Sequence, residues 1–315
     1  MCGICGVVNF DSHRPVDEQV LRRMTDIMTH RGPDDSGLYL NGNVGLGFRR
    51  LSIVDLALGH QPMSNEDGRI WIVFNGEIYN HLDIHNRLIS QGHVYKTRCD
   101  TETIVHLYEQ DGIDGFKQMN GMFSFAIWDD IKKRLVLVRD RLGIKPFYYL
   151  VHDNRLIFGS EIKAILEHPG VPREVNEKAL EEYLIFRFAA GEQTMFNNIK
   201  CLLPGHILIW ENGTVTTRSF WDVPVGEKHF EIDQATAVSQ LGELLDDSVR
   251  LRLMSDVPLG TMCSGGVDSG LTTAYASLAG KFKLNTYSVG FKEEAFDETR
   301  YARMVADRYG TNHHE

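Results

Sequence analysis

The chain has 315 residues, enough for two domains, with 43% hydrophobic and 24% charged residues, as is usual for a folded protein. Its formal charge of −10 argues against partners that attract clustered Lys and Arg, such as nucleic acid or an anionic membrane surface. No apolar run reaches the roughly 20 residues of a membrane span, and the N-terminus lacks the pattern of a signal peptide. We therefore expect a cytoplasmic protein that acts on small molecules.

Residues 1 to about 165 alternate strand-like and helix-like segments, which predicts an α+β domain with antiparallel hairpins. The predicted helices cover Glu18–Thr29, Asn80–Gln91 and Asp100–Asp111. The third is expected to begin on an Asp cap, with Glu102 in its first turn. The predicted strands cover Cys5–Phe10, Val44–Phe48, Ile70–Phe74, Phe123–Trp128, Leu135–Arg139, Phe147–Leu150 and Leu156–Gly159.

The pattern changes along the second half of the chain. We assign residues 2–205 to a first domain, residues 206–234, with a hairpin pattern near His206–Trp221, to a connection, and residues 235–315 to a second domain. A helix–strand–helix–strand–helix order predicts a parallel sheet with crossover helices. These elements are predicted at Ala235–Met254, Val257–Cys263, Ser269–Leu278, Leu284–Phe291 and Glu298–Tyr309. Because two parallel strands are too few for a sheet covered on both faces, this α/β domain is expected to be incomplete.

Cys2 is a candidate nucleophile. Removal of Met1 would leave its α-amine free, and an amine with a pKa near 8 can accept the thiol proton. One alternative is a buried cysteine on a first strand, and another is a redox pair with Cys5. Cys5 continues into an apolar strand, which is typical of a packed residue. The spacing of the other cysteines does not fit a zinc site.

Six short motifs follow one another along the first domain. They are Met1-Cys2-Gly3-Ile4-Cys5-Gly6-Val7, His30-Arg31-Gly32-Pro33-Asp34, Arg50-Leu51-Ser52-Ile53-Val54-Asp55, Phe74-Asn75-Gly76-Glu77-Ile78-Tyr79-Asn80, Gly121-Met122-Phe123 and Arg139-Asp140-Arg141-Leu142-Gly143. The set resembles the glutaminase domain of glutamine-hydrolysing asparagine synthetases, which are N-terminal-nucleophile hydrolases with a four-layer αββα fold. The resemblance implies that the Cys2 thiolate attacks the side-chain amide of glutamine. A glutamyl thioester would form and release ammonia, and water would then free glutamate.

The resemblance also implies a role for several motif residues. The Asn75 carboxamide and the Gly76 N–H would stabilise the oxyanion, although Asn-Gly after an apolar run also fits a type I′ hairpin turn. Arg50 would bind the α-carboxylate of glutamine and Asp100 its α-ammonium group. Their simpler interpretations are a surface ion pair and a helix cap. By the same resemblance, the glutamine pocket is lined by the backbone of Leu51, Ser52, Ile53 and Val54 and by the Glu77 carboxyl. The Arg31–Asp34 motif receives no chemical step.

A glycine-rich loop, Ser264-Gly265-Gly266-Val267-Asp268-Ser269, lies between a predicted strand and helix, where backbone N–H groups favour an anion. It lacks the lysine of a Gly-x-x-x-x-Gly-Lys-Ser/Thr loop. It resembles the pyrophosphate-binding loop of ATP pyrophosphatases, which cleave ATP between the α and β phosphates. The resemblance implies that Cys263 and Val289 contact the adenosine through their backbones. Asp268 could hold Mg²⁺, because hard cations prefer carboxylate oxygens.

These resemblances together predict an asparagine synthetase that uses glutamine, aspartate and ATP with Mg²⁺. A second Gly-rich stretch of that family is absent, so we expect a truncated chain that retains only the glutaminase chemistry, with His313-His314-Glu315 as neither tag nor metal site. Two alternatives stay open. The chain could belong to a relative that amidates another carboxylate, in a glycan or peptide pathway, or it could be a non-catalytic remnant. The sequence is compatible with a homodimer and does not require one.

Overall fold

The computed structural model describes residues 1–226, 231–280, 282–293 and 295–315. The chain divides into two units, Met1–Pro224 and Val225–Glu315. None of the helices in the described ranges has the length and apolarity that a membrane span requires.

The first unit contains two six-stranded antiparallel sheets. In chain order its strands are β1 Gly3–Asn9, β2 Asp35–Asn41, β3 Val44–Arg50, β4 Met63–Ser64, β5 Ile70–Ile78, β6 Gly121–Asp129, β7 Arg134–Arg139, β8 Tyr148–His152, β9 Arg155–Gly159, β10 Ile199–Cys201, β11 His206–Glu211 and β12 Thr214–Ser219. The first sheet has the order β10-β8-β9-β1-β3-β2, and the second has the order β12-β11-β7-β6-β5-β4. The helices are α1 Glu18–Asp26, α2 His81–Ser90, α3 Asp100–Asp111, α4 Ile162–Leu166 and α5 Glu177–Phe186, and a 3₁₀ helix covers Gly112–Gln118.

Three apolar layers hold these elements together. The layer between the two sheets includes Ile4 and Trp128, both fully or nearly fully buried. A second layer joins α1 and α4 to the first sheet, and a third joins α2 and α3 to the second sheet. Side chains along a strand point alternately to the two faces of its sheet, so one strand supplies two layers. The result is the predicted four-layer αββα arrangement, which confirms the fold class.

Three details differ from the prediction. The strand predicted at Ile70–Phe74 continues to Ile78, because β6 pairs with β5 along its whole length. Asn75 and Gly76 therefore lie inside a strand, and the hairpin-turn interpretation is wrong. The hairpin predicted near His206–Trp221 is confirmed as β11 and β12, but β11 pairs with β7 of the second sheet, so the hairpin belongs to the first unit and not to a connection. The N-cap of α3 is Cys99, and Asp100 is the first residue of that helix.

Among its described residues, the second unit has a small parallel sheet of three strands, β13 Gly260–Met262, β14 Asn285–Tyr287 and β15 Asn312–His314, in the order β13-β14-β15. Its helices are α6 Gln234–Leu251, α7 Val267–Ala279 and α8 Thr299–Tyr309. The parallel α/β pattern is confirmed, but the count of two strands was wrong. β15 is short and polar, and only its parallel pairing with β14 makes it a strand.

Candidate active site

Cys2 immediately precedes β1 and packs against the apolar layer between the two sheets. Cys5 points to the opposite face of the sheet, where its sulfur lies 3.4 Å from Oγ1 of Thr25 on α1. Because the two side chains occupy different layers, the structure argues against the redox pair, and Cys5 is a packed core residue. The backbone N–H of Leu51 donates to the Cys2 sulfur over 3.4 Å. Burial raises the pKa of the Cys2 thiol, and this hydrogen bond opposes the shift.

Cys2 opens onto a cavity of about 30 Å³. The cavity is enclosed by residues of β3, the segment that follows it, β5 and the start of α3. Its lining includes Cys2, Arg50, Leu51, Ile53, Val54, Gly76, Glu77 and Asp100, together with Phe48, Gly59, Gln61, Phe74, Cys99 and Thr101. Of the residues predicted for the glutaminase site, Ser52 and Asn75 lie outside this lining.

Asn75 and Gly76 are placed by β5. Asn75 is 1% exposed, and its side-chain Nδ2 has no hydrogen-bond partner among the described residues. An unpaired buried donor is costly in an empty site and is the arrangement expected of a group that pairs with an oxyanion during reaction. A Cβ at Gly76 would lie 2.3 Å from the carbonyl oxygen of Met122 on the neighbouring strand. The close approach of β6 therefore requires glycine at this position.

Glu77 and Asp100 bring two carboxyl groups to the same cavity. Burial and the negative charge of Asp100 raise the pKa of Glu77 to about 8, and burial raises the pKa of Asp100 to a lesser extent. Asp100 accepts a 2.8 Å hydrogen bond from the N–H of Ile78, whereas Oε2 of Glu77 is buried without a partner in the described part of the chain. A cation that binds between them would relieve both the burial cost and the repulsion.

The Arg50 side chain is buried, so it is not the surface ion pair of the simpler interpretation. It donates to three backbone carbonyl oxygens, those of Val54, Asp55 and Leu56, over 3.2, 2.7 and 3.3 Å. These bonds hold the segment after β3 over the cavity. A guanidinium has five N–H donors, so this group retains donors for a carboxylate.

The Arg31–Asp34 motif, which had no role in the sequence analysis, contacts both sides of the cavity. Arg31 donates from Nε to the carbonyl oxygen of Cys2 over 2.9 Å. Asp34 accepts from the N–H of Ser52 over 2.8 Å. The motif thus fixes Cys2 and the segment opposite it. The only feature of the sequence that pointed to this role was the position of the motif among the other ordered motifs.

Lys145 was also missed. It is 6% exposed, and its ammonium group lies within electrostatic range of Cys2 and Glu77. Burial lowers the pKa of Lys145. The buried Asp140 carboxylate accepts the N–H groups of Leu142, Ile144 and Lys145 and so shapes the loop that carries this lysine. The Arg139–Gly143 motif was the available signal, since it ends two residues earlier.

In the second unit, the glycine-rich loop connects β13 to α7. Gly265 has φ +89°, and a Cβ there would lie 2.6 Å from the backbone nitrogen of Ala302. Gly266 is the N-cap residue of helix α7, so no side chain caps the start of this helix. The first-turn N–H groups therefore present the uncapped helix end that an anion can bind.

A separate cavity of about 360 Å³ lies beside this loop. Of the predicted ATP residues, Cys263, Ser264, Ser269 and Val289 line it, whereas Gly265, Gly266 and Asp268 do not. Cys263 is fully buried, and its N–H donates to the carbonyl oxygen of Tyr287 over 2.8 Å. Asp268 occupies the first turn of α7.

Comparison with known families decides the class of the first unit. The family sequence model that describes the glutamine amidotransferase domain matches residues 1–221, which include β1 to β12 and the cavity at Cys2. The chain belongs to the glutamine amidotransferase family. A second family sequence model, that of asparagine synthase, matches residues 240–315 of this amidotransferase.

Individual relatives carry both parts. The chain is 36% identical over 334 residues to a Bacillus subtilis protein named glutamine-hydrolysing asparagine synthetase 3, covering all of this chain and 54% of that protein. It is 40% identical over 331 residues to B. subtilis glutamine-hydrolysing asparagine synthetase 2, and the match covers 99% of this chain and 43% of that protein. A putative asparagine synthetase of Methanocaldococcus jannaschii is 36% identical and covered to 64%. The chain thus spans about half the length of the B. subtilis relatives.

Among solved structures, glutamine phosphoribosylpyrophosphate amidotransferase from B. subtilis aligns with 99% of this chain and 65% of its own, with a TM-score of 0.51. At 15% identity this likeness supports the fold alone.

Proposed function

We propose that this amidotransferase hydrolyses glutamine with Cys2 as its nucleophile. The observation that carries the proposal is one cavity that is lined by Cys2, by Gly76 and by the two buried carboxyl groups of Glu77 and Asp100. After removal of Met1, the free α-amine takes the thiol proton, and the sulfur attacks the amide carbon of glutamine. The carbon–nitrogen bond breaks, ammonia leaves with the proton from the amine, and water hydrolyses the thioester.

Substrate recognition follows from the same charges. The α-ammonium group of glutamine binds between Glu77 and Asp100, and its α-carboxylate binds Arg50 with the backbone of residues 51–54. Asn75 and Gly76 donate to the oxyanion. Each such donor is worth about 3 to 4 kcal/mol in comparable sites.

Glutamate release by the purified protein tests this step. Intact mass should show the loss of Met1 and a single adduct with a glutamine-mimicking electrophile, and Cys2→Ala should lose both adduct and glutamate release. Cys263→Ala, in the second unit, is the matched control and should retain both. Undiminished hydrolysis in Cys2→Ala would overturn the assignment.

We further propose that the ammonia amidates an aspartate activated by ATP, because the relatives are named glutamine-hydrolysing asparagine synthetases. We also propose that the protein is cytoplasmic. The second unit supports this through the positive-φ Gly265 and the uncapped start of α7, which suit a pyrophosphate. The carboxylate of Asp268, at that helix start, would hold Mg²⁺, which neutralises phosphate charge.

Incubation with Mg-ATP, aspartate and glutamine tests the second step when glutamate, pyrophosphate and asparagine are assayed separately. Asparagine that forms with equal pyrophosphate supports it, and Gly265→Ala should remove both products without changing glutamate release. Other carboxylates in place of aspartate test the alternative acceptors. Glutamate without pyrophosphate would instead agree with the expectation from the sequence that this chain retains only the hydrolysis of glutamine.

A further inference from the structure

A cluster of histidine and glutamate side chains lies on the helical side of the second sheet, apart from the cavity at Cys2. His106 and Glu109 belong to α3, and His93 belongs to the segment between α2 and α3. Nδ1 of His106 lies 3.3 Å from Nδ1 of His93 and 2.7 Å from Oε2 of Glu109, and the His93–Glu109 distance is 3.8 Å. Three potential ligand atoms thus face one another.

We infer that His93, His106 and Glu109 form a structural zinc site. Zinc binds histidine nitrogen and carboxylate oxygen at about 2.0 to 2.2 Å in a tetrahedral arrangement, which separates neighbouring ligand atoms by about 3.3 Å. The three observed separations are 2.7, 3.3 and 3.8 Å. Shifts of about half an ångström would therefore bring all three ligand atoms to the distances that a zinc ion requires. Oε2 of Glu66 lies 3.9 Å from Nδ1 of His106 and is placed to supply the fourth ligand.

The surroundings match those of zinc ligands. Metal-bound histidines and carboxylates are usually oriented by hydrogen bonds from a second layer of residues. Oε1 of Glu109 accepts from Asn65 over 2.7 Å, and Nε2 of His93 lies 3.2 Å from Oε1 of Gln110. Nε2 of His106 has no partner within the described residues, and the Glu102 carboxylate lies 3.8 Å from it.

A shared proton is the competing occupant. It explains the short contact between His106 and Glu109, and the positive charge of a protonated His106 also attracts Glu66. The 3.3 Å separation of the two Nδ1 atoms, however, brings a second nitrogen ligand to the same point. The His106 side chain is completely buried, whereas the Glu66 and His93 side chains are 39% and 15% exposed. An ion can therefore reach the cluster from solvent on the side of Glu66. Nitrogen ligands favour zinc over the hard cations magnesium and calcium.

The position indicates what the ion would do. It would link the segment between α2 and α3, which carries His93, to helix α3. The first residue of α3, Asp100, lines the cavity at Cys2. His106 is six residues along the same helix, or about 9 Å from Asp100. The zinc would therefore stabilise the helix that presents Asp100 and take no part in the chemistry.

The test uses the full chain in a Cys2→Ala background, because a cysteine with a free amine can itself chelate zinc. After treatment with EDTA, zinc sulfate is titrated against a chromophoric chelator, and thermal unfolding is followed in parallel. We expect one zinc per chain and a higher Tm, with no such rise from magnesium. His93→Asn and Glu109→Gln should each weaken binding at least about tenfold, a loss similar to those seen for residues that orient metal ligands.

His206→Asn is the matched control, since His206 is partly exposed and contacts the carbonyl oxygen of Pro204, away from the cluster. It should bind zinc like the parent. Circular dichroism shows whether each variant folds, and the partial exposure of His93 makes that variant the safer one. The site is refuted if the parent binds no zinc, or if folded His93→Asn and Glu109→Gln bind it unchanged.

Discussion

Arg31 donates a 2.9 Å hydrogen bond to the carbonyl oxygen of Cys2, and its guanidinium also pairs with Glu161 at 3.0 Å. The arginine is outside the cavity lining, so we expect it to affect the proposed hydrolysis by positioning Cys2. We predict that Arg31→Gln lowers kcat for glutamine hydrolysis by about tenfold or more, because small displacements of a reacting group are costly. The KM for glutamine should change little.

Steady-state kinetics on the folded variant check this prediction. Arg22→Gln, which removes an exposed arginine paired with Glu18, is the control and should behave like the parent. A rise in KM with unchanged kcat would make Arg31 a binding residue instead.

The position of Arg31 also shows where sequence reasoning stops. The strand and helix pattern predicted an α+β domain with antiparallel hairpins, because such patterns are short-range signals. The αββα layers and most of the cavity lining were implied by the family resemblance that the ordered motifs carry. The hydrogen bond between Arg31 and Cys2 joins residues 29 positions apart, and no local pattern specifies it. β2 and α5 were missed for a related reason, since β2 has no fully buried residue and α5 has only Ala179.

Asn75 gives the second prediction. Asn75→Ala should lower kcat by about 10²- to 10³-fold with a much smaller change in KM, because the oxyanion exists only in the transition state. Since Nδ2 has no protein partner to lose within the described residues, the Tm should not fall by the amount usual for a broken buried hydrogen bond. Asn86→Ala on the exposed face of α2 is the control. Loss through KM alone would contradict the oxyanion role.

Lys145 gives the third prediction. A buried cation near Cys2 favours the thiolate, so Lys145→Met should raise the pKa of the Cys2 thiol and lower the rate of hydrolysis. The pH dependence of Cys2 alkylation measures that pKa directly. Lys200→Met, which removes an exposed lysine paired with Glu192, should leave the alkylation profile unchanged. An unchanged profile in Lys145→Met as well would show that the lysine acts only in packing.

Glu77 links activity to stability. Its pKa in the folded protein is about 8, above the value near 4.3 of an unfolded chain, so the folded state binds the proton more tightly. The contribution of this group to stability is therefore present below about pH 4 and is lost as the pH rises towards 8. Glu77→Gln removes the titration. Without glutamine, the Tm of the variant should exceed that of the parent by an amount that grows between about pH 5 and pH 8.5.

The same substitution should weaken glutamine binding, because the ammonium group loses one of its two carboxylates. In a Cys2→Ala background, which prevents turnover, glutamine should raise the Tm at about pH 8.5 clearly more when Glu77 is present than in the Glu77→Gln variant. Glu181→Gln on the exposed face of α5 controls for the loss of a charge and should change neither result. If Glu77→Gln were less stable than the parent at that pH, the buried carboxylate would already have a partner, and the ammonium site would have to lie elsewhere.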